Sequence, residues 1–509
     1  MPSEAANLTS YDELLRRAAL WLESDGYPPE MPGDAAPLIA RMLALIVKPD
    51  HASDARVPLA PRRDWPALAD TAHNQLIRNA PWFVEALTRR YARPASSVIE
   101  SLVRTHPHRL ATLAADLLTS EPLAPPVRLP LEPESLEESA AVQAIVFEAW
   151  PHATHELFPL FVDALSAAAH GGFPGEALAA HTSWLRSDAS LGRVLRYDPE
   201  ADRFVEADLA ASPVIRSAHL LLGPGEGESR WHEEWSAWCA VREIPVMNPA
   251  SAARIADDKW EAYERWQRQG VRTPPTWLVP RRAVRKEQRQ ACEKALSAEC
   301  DRYVVKPRHG TEGRNVIVTP DDATALADAL GRILPCDDAV IQPYGGRLRW
   351  ADDEIGSTGR CAAIRLNIAL KPDGTPVAES GYVQVARDSN VLVASVGHGG
   401  KLLPLVRRHL FVVPPDGSPR KLTEPEVKHI VAFAEQAARV LAEGVHPEER
   451  LRLMGMDLLV EVDERGEAFP LALEVNPRPA GLSHSRFLTD GWDEAGEPGV
   501  SVVLWEGRR

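Results

Sequence analysis

The sequence predicts an α+β protein of several domains, with a helical N-terminal region followed by helices mixed with sheet. Three observations predict it. The chain has 509 residues, and at roughly 150 residues per domain that length suggests about three domains. Apolar residues recur at helical spacing through residues 1–190, where alternation of the strand type is rare. Beyond residue 190, short strands, hairpins and helices follow one another to the C-terminus. Hydrophobic residues are 45% and charged residues 25%, and the mean hydropathy is -0.24, which excludes a disordered or collagen-like chain.

Residues 1–190 are expected to form an α-helical N-terminal domain. YDELLRRAALWLES, WFVEALTRRY, SSVIESLVRTH, RLATLAADLL and LFPLFVDALSAAA each carry apolar positions at helical spacing, and proline-rich joints such as LAPPVRLPLEPES separate them. Residues 191–255 are expected to form an αβ unit. RVLRYDPEADRFVEA reads as two short strands around an Asp-Pro turn, and AHLLLGPGEGESRWHEEWSAWCAVREIPVMNP as strand, glycine loop, helix and strand. Gly223, Gly225 and Gly227 miss the GxGxxG spacing, so a tight turn explains them better than a dinucleotide site. Residues 256–340 and 341–509 are read as two further α+β lobes. Their strands include YVVKP, NVIVT, AVIQPY, IRLNIALKPDGTPVAESGYVQV and GMDLLVEVDERGEAFPLALEVNP.

Charge and composition narrow the function classes. Lysines and arginines number 57 against 72 aspartates and glutamates, a net charge of -15, so the surface repels polyanions and no nucleic-acid partner is expected. The basic stretch Arg281 to Arg289 reads as a solvated helix face. No apolar run reaches the length of a membrane span, and MPSEAANLTS lacks the features of a secretion signal. Five cysteines without a CxxC fit a reducing compartment. The expected location is the cytoplasm.

The strongest chemical signal is MGMDLLVEVDERGEAFPLALEVNPRP. Glu474 and Asn476 are two apart on a strand, so they share a face. A hairpin centred on Arg465-Gly466 sets Asp457 opposite Glu474. Three oxygen ligands on one patch suit a hard cation such as Mg2+, which keeps its other positions for water and phosphate. The competing reading is the solvated face of an amphipathic sheet. Pro477 and Pro479 fix a rigid exit that presents Arg478 beside the patch.

A second signal lies upstream, where the strand YVVKP delivers Lys306 and HGTEGRN follows with Gly310 and Gly313. A lysine ending an apolar strand is a poor core residue without an anionic partner. The loop amides of Gly310, Thr311, Glu312 and Gly313 can cradle phosphate oxygens. It is not a Walker loop, since GxxxxGK[ST] occurs nowhere in the chain. Lys259, in ARIADDKWEAYERW, is a third cation that alone reads as an exposed helical lysine.

Taken together and in order, NPASAARIADDKW, GVRTPPTW, VVKPRHGTEGRNVIV, VIQPY, GMDLLVEVD and LALEVNPRPAG resemble the ATP-grasp family over about residues 245–485. The resemblance implies two lobes gripping ATP, with the αβ unit before them aiding substrate binding. It implies that Lys259 and Lys306 hold the nucleotide phosphates and that the loop 310–313 closes over them. Residues 340–344 would be the hinge whose backbone reads adenine, with Gln342, Pro343 and Tyr344 lining it. Asp457, Glu474 and Asn476 would bind Mg2+, and Arg478 would meet the transferred phosphoryl group or a carboxylate. The ribose carboxylate is not unique, since Asp352, Asp353 and Glu354 compete for that place. Arg365 reads equally as an anion stabiliser in the cleft or as a salt-bridged sheet arginine.

The implied activity is that of an ATP-dependent carboxylate–amine ligase working through an acylphosphate on small-molecule acid and amine substrates. Positioning and charge neutralisation carry such chemistry, so no nucleophilic triad is required. The alternatives are a ligase acting on a peptide or carrier protein and a non-catalytic nucleotide-binding scaffold. His484, just beyond Arg478, is a candidate substrate contact or base for the amine. His152 and His155, and His106 and His108, lack a third metal ligand and read as ordinary histidines. The helical N-terminal region is a candidate surface for a homodimer.

Overall fold

The computed structural model describes residues 127–128, 142–147, 153–169, 176–181, 185, 188, 190–198, 203–209, 213–221 and 226–505, apart from 299, 311–314, 352–358, 396–397, 399 and 479–480. The chain divides into two compact units, Met1–Glu138 with Leu178–Pro213, and Ser139–Ala177 with Val214–Arg509. In the first unit, Arg193–Asp198 and Arg203–Asp208 form the antiparallel hairpin that the Asp-Pro turn predicts, and Val127–Arg128 pairs in parallel with its second strand.

Four of the five helical stretches read in residues 1–190 lie outside the described residues. The fifth is a helix, Ala153–Ala169. The described remainder corrects the all-helical expectation, because Val142–Phe147 and Glu176–His181 are strands. Val142–Phe147 pairs in parallel with Ile215–Leu221, so the strands of the αβ unit begin about fifty residues earlier than the sequence reading placed them. VQAIVF is a short run, buried from Val142 to Val146. A parallel strand covered on both faces shows no alternation, and a run this short cannot be told from a buried helix by period alone.

Two sheets follow within the second unit. The smaller is four-stranded and antiparallel in the order Trp277–Val279, Ala339–Pro343, Arg302–Pro307, Ile317–Pro320. Its apolar face buries Tyr303, Val305, Ala339 and Ile341 against Ala295 of the helix Arg285–Leu296 and Leu326, Leu330 and Ile333 of Ala323–Ile333. The larger sheet is built on Arg360–Leu370, flanked by the antiparallel strands Pro376–Val385 and Leu453–Val462, with Ala468–Asn476 paired to the latter. The 19-residue helix Glu424–Ala442 covers it through Ile430, Ala434, Ala437, Ala438 and Leu441. The same core takes in Trp266 from the helix Lys259–Arg268, whose indole N–H donates to the Ala437 carbonyl at 3.0 Å.

The start of Glu424–Ala442 is fixed by a reciprocal cap. Thr423 Oγ1 accepts the Glu426 N–H while Glu426 accepts the Thr423 N–H at 2.8 Å. Glu426 also takes a bidentate pair from Arg420 and the Ala468 N–H at 2.6 Å, so the cap joins the helix to the hairpin that carries the carboxylates.

The hairpin itself holds a surprise in register. Asp457 does face Glu474, yet Val462 faces Ala468, so the turn is centred on Arg465 and not between Arg465 and Gly466. A bulge between Asp457 and Leu458, with Ala472 opposite Leu458, supplies one extra residue on the second strand and restores the pairing. Gly466, at φ +81°, occupies the left-handed position of that turn.

Candidate functional site

The site assembles where the two sheets of the second unit approach. Lys306 lies one residue from the end of Arg302–Pro307, opposite Val340, and is 4% exposed. Burial lowers its ammonium to about 8, while Glu474 and Asp457 pull it upward and Lys259 pushes it down further. These are the anionic partners that a buried strand lysine requires.

Asp457, Glu474 and Asn476 share one face as the period of the strand dictates, and Gly455 and Asp457 pair with Asn476 and Glu474. Burial opposes ionisation of Glu474. Lys259, Lys306 and a hydrogen bond with Asp457 outweigh it and bring the carboxyl down to about 2. Burial and the adjacent Glu474 raise Asp457 to about 6, even though Arg365 opposes them. Of the two acids, Asp457 is therefore the harder to ionise.

Arg365 stands on the central strand between Asp457 and Tyr382. Its Nε and a terminal nitrogen grip Asp457 from two points, the second at 2.7 Å, and its guanidinium lies 5.8 Å from the Tyr382 ring centre. Of the two sequence readings for this residue, the geometry is that of the salt-bridged sheet arginine, set within the carboxylate patch. Gln384 Nε2 donates to Asp457 Oδ1 at 2.9 Å, and Asn476 Nδ2 donates to Oδ2 at 3.2 Å. Four donors meet an aspartate with roughly four lone-pair sites.

The donor chemistry suits Mg2+, with two carboxylates and an amide at one place. Among the described residues no group of three or more His, Cys, Asp and Glu is arranged to hold a metal. To bind a cation here, Asp457 would have to give up at least one of its four donors.

The triplet Asp257-Asp258-Lys259 is a junction that the sequence reading used only for its lysine. Asp258 caps the helix Lys259–Arg268 by accepting the Trp260 and Glu261 N–H groups at 3.0 and 3.1 Å. It also accepts Arg308 Nε at 2.8 Å and Arg308 Nη2 at 2.6 Å. Burial resists its charge, but the bonds from His309, Arg308 and the Glu261 amide hold the carboxyl far below the usual range. Asp338 takes the remaining arm of Arg308 at 3.0 Å, and Asp337 accepts the His309 N–H at 2.8 Å. So anchored, Lys259 reaches the Gly310 carbonyl with its Nζ. Gly310 is exposed with φ +145°. Thr311, Glu312 and Gly313 lie outside the described residues, as do Asp352, Asp353 and Glu354.

Arg478 takes its partners from outside the carboxylate set. Its Nη2 pairs with Asp257 and its Nη1 meets His232 Nδ1 at 3.2 Å, while its side chain is 6% exposed. Burial first, then Arg478, lowers His232 to about 4, which keeps the ring neutral. Asn248 is a buried hub beneath this group. Its Nδ2 donates to the carbonyls of Pro477 and of Leu453, the latter at 3.1 Å, and its Oδ1 accepts the Arg452 and Leu453 N–H groups.

The polar groups of residues 342–344 bond within the protein. Gln342 Nε2 donates to Thr276 Oγ1 at 2.8 Å, and the Tyr344 N–H donates to the Arg302 carbonyl at 2.8 Å. The antiparallel ladder runs past Pro343 and consumes that N–H. The Tyr344 hydroxyl donates to the Leu392 carbonyl at 3.0 Å. His484 lies exposed in the short turn Leu482–His484.

Gln384, Asn248, Asp257, Asp258, Arg308 and His232 were missed from sequence. Gln384 had a signal, as a polar residue alternating with Tyr382 among apolar neighbours. Asp258 had one as well, as an aspartate just ahead of a helix; the others had none, since their partners lie tens to hundreds of residues away.

No protein-family model matches the chain. No curated protein matches it either. Among solved structures it is similar to D-cycloserine synthetase DcsG, at 17% identity over 68% of this chain and 95% of that one, with a TM-score of 0.41. It is similar to D-alanyl-alanine synthetase A from Vibrio cholerae O1 biovar eltor, at 13% identity over 67% and 89%, with a TM-score of 0.39. It is also similar to D-alanine–D-alanine ligase from Bacillus anthracis complexed with ATP, at 14% over 67% and 87%, with a TM-score of 0.36. At such scores the functional reading has to rest on the side chains.

Among the described residues no helix is long and apolar enough to cross a membrane.

Proposed function

We propose that the protein is an ATP-dependent carboxylate–amine ligase of the ATP-grasp kind. One observation carries the reading. Two lysines, one buried on the small sheet and one opening an anchored helix, converge on the buried Asp457 and the half-buried Glu474 and Asn476 of the large sheet. Such a set of opposed charges would be a costly core, and it suits a polyphosphate with its metal.

In this reading Lys259 and Lys306 bind the nucleotide phosphates, and the segment Gly310 to Gly313 covers them. Asp457, Glu474 and Asn476 hold Mg2+, which when bound neutralises phosphate charge. Arg365 orients Asp457, and Gln384 supports it. Gln342 to Tyr344 line the adenine side, and one carboxylate among Asp352, Asp353 and Glu354 meets the ribose. Arg478 takes an anionic group of the substrate, and His484 contacts the acid or the amine. The acid is activated as an acylphosphate that the amine attacks, so the protein's task is to position, to neutralise and to exclude water. All five cysteines are free thiols, which supports a reducing, cytoplasmic setting.

The test is hydroxamate formation with Mg-ATP, hydroxylamine and a panel of carboxylic and amino acids, read by mass spectrometry. An ATP-dependent product that Glu474→Ala abolishes is expected, and its mass names the acid. ATP binding without any hydroxamate removes the small-molecule ligase reading, and failure to bind Mg-ATP removes the family reading as well.

A further inference from the structure

Arg478 is held in an unusual way. Asp257 takes Nη2 and His232 takes Nη1, yet Nε is shielded from solvent and has no hydrogen-bond partner among the described residues. A guanidinium has only donors, so His232 Nδ1 must be the acceptor in this contact. Its Nε2 therefore carries the proton and donates to the Asn248 carbonyl at 2.7 Å. Asn248 in turn binds the carbonyl of Pro477, the residue before Arg478. One closed chain of bonds thus fixes the tautomer of His232 and the backbone at Arg478, together with two of the three guanidinium nitrogens. Buried polar groups are almost always paired, and an unpaired arginine N–H amid such complete support asks for a ligand.

We propose that Asp257 and His232 are positioning residues that clamp Arg478 so that its unpaired Nε–H receives an oxyanion of the reaction, either the transferred phosphoryl group or a substrate carboxylate. This rests on the ligase reading for the identity of the oxyanion. It also gives the αβ unit a part in the chemistry, because His232 comes from the helix Glu226–Val241. His219, on the adjoining strand Ile215–Leu221, is fully buried, and both of its ring nitrogens lack partners among the described residues. Its neutral ring beside His232 adds no competing charge to the clamp.

The experiment titrates inorganic phosphate into the full-length protein by calorimetry, with and without saturating Mg-ADP. The set is wild type, Arg478→Lys, His232→Leu, His232→Asn and Asp257→Asn. The asparagine oxygen can stand where Nδ1 stands and accept from Arg478, whereas leucine cannot. His232→Leu, Asp257→Asn and Arg478→Lys are expected to weaken phosphate about tenfold, the loss of one charge-assisted hydrogen bond. His232→Asn should stay within about threefold of wild type, and the affinity for Mg-ADP should be the same throughout. A merely structural histidine predicts no such rescue. The clamp is overturned if His232→Leu binds phosphate like wild type, if His232→Asn is as weak as His232→Leu, or if wild type binds phosphate in neither arm. Failure to bind Mg-ADP counts against the ligase reading, and the arm without nucleotide then still decides the clamp by the same pattern of variants.

Discussion

Asp258 gives the sharpest test of how the nucleotide side of the site is built, because one carboxylate performs two separable tasks. It caps the helix that begins with Lys259, and it grips Arg308 at two points. Asparagine caps a helix as well as aspartate does, so Asp258→Asn removes the charge and keeps the cap, while Asp258→Ala removes both. Loss of a cap costs about 1 kcal/mol. Charge-assisted bonds contribute about 1.5–3 kcal/mol, and the Arg308 side chain is 25% exposed and keeps Asp338, so the lower end applies. Urea unfolding should therefore show a loss of about 1.5 kcal/mol for Asp258→Asn and about 2.5 kcal/mol for Asp258→Ala. Both variants free the segment that carries Lys259, and losing one charged contact to phosphate should weaken Mg-ATP about tenfold by calorimetry. Equal stability losses for the two variants would refute the division into cap and ion pair. Wild-type affinity for Mg-ATP in both would show that the network does not position Lys259.

Other outcomes follow from the same physics. Glu426 is drawn down from 4.5 to about 2, with burial opposing and Arg420, Thr423 and the Ala468 amide prevailing; its stabilisation is complete above pH 4.5 and is lost as pH falls toward 2. Over that window wild type should lose about 3 kcal/mol more than Glu426→Gln in acid unfolding followed by circular dichroism. Asp457→Ala leaves Arg365 buried without its counter-ion and should cost about 3–5 kcal/mol in urea, of which Arg365→Met in the same chain should recover a large part. Lys306→Met should weaken Mg-ATP by about ten- to a hundredfold in calorimetry, since it removes a desolvated phosphate ligand.

What the sequence made legible was local. The period of two placed Glu474 and Asn476 on one face, and burial of a strand lysine called for an anionic partner that Lys306 has. The facing of Asp457 and Glu474 came out correctly through two offsetting errors, since neither the true turn centre nor the bulge leaves a mark in residue types. Val142–Phe147 was lost among helices because a strand buried on both faces has no alternation to detect. The partners of Arg478 lie 221 and 246 residues away in the chain, and nothing in a single sequence ties residues at that distance.

The compensation between turn and bulge limits how this hairpin can vary in length. Removing one residue from 463–467 slips the second strand by one place, which turns Glu474 and Asn476 toward the opposite side of the sheet. Removing Leu473, the extra residue, instead leaves Leu458 opposite Ala472 and Glu474 opposite Asp457, so the acidic pair keeps its face. A length change at the bulge is therefore tolerable in this segment, whereas one at the tip is not.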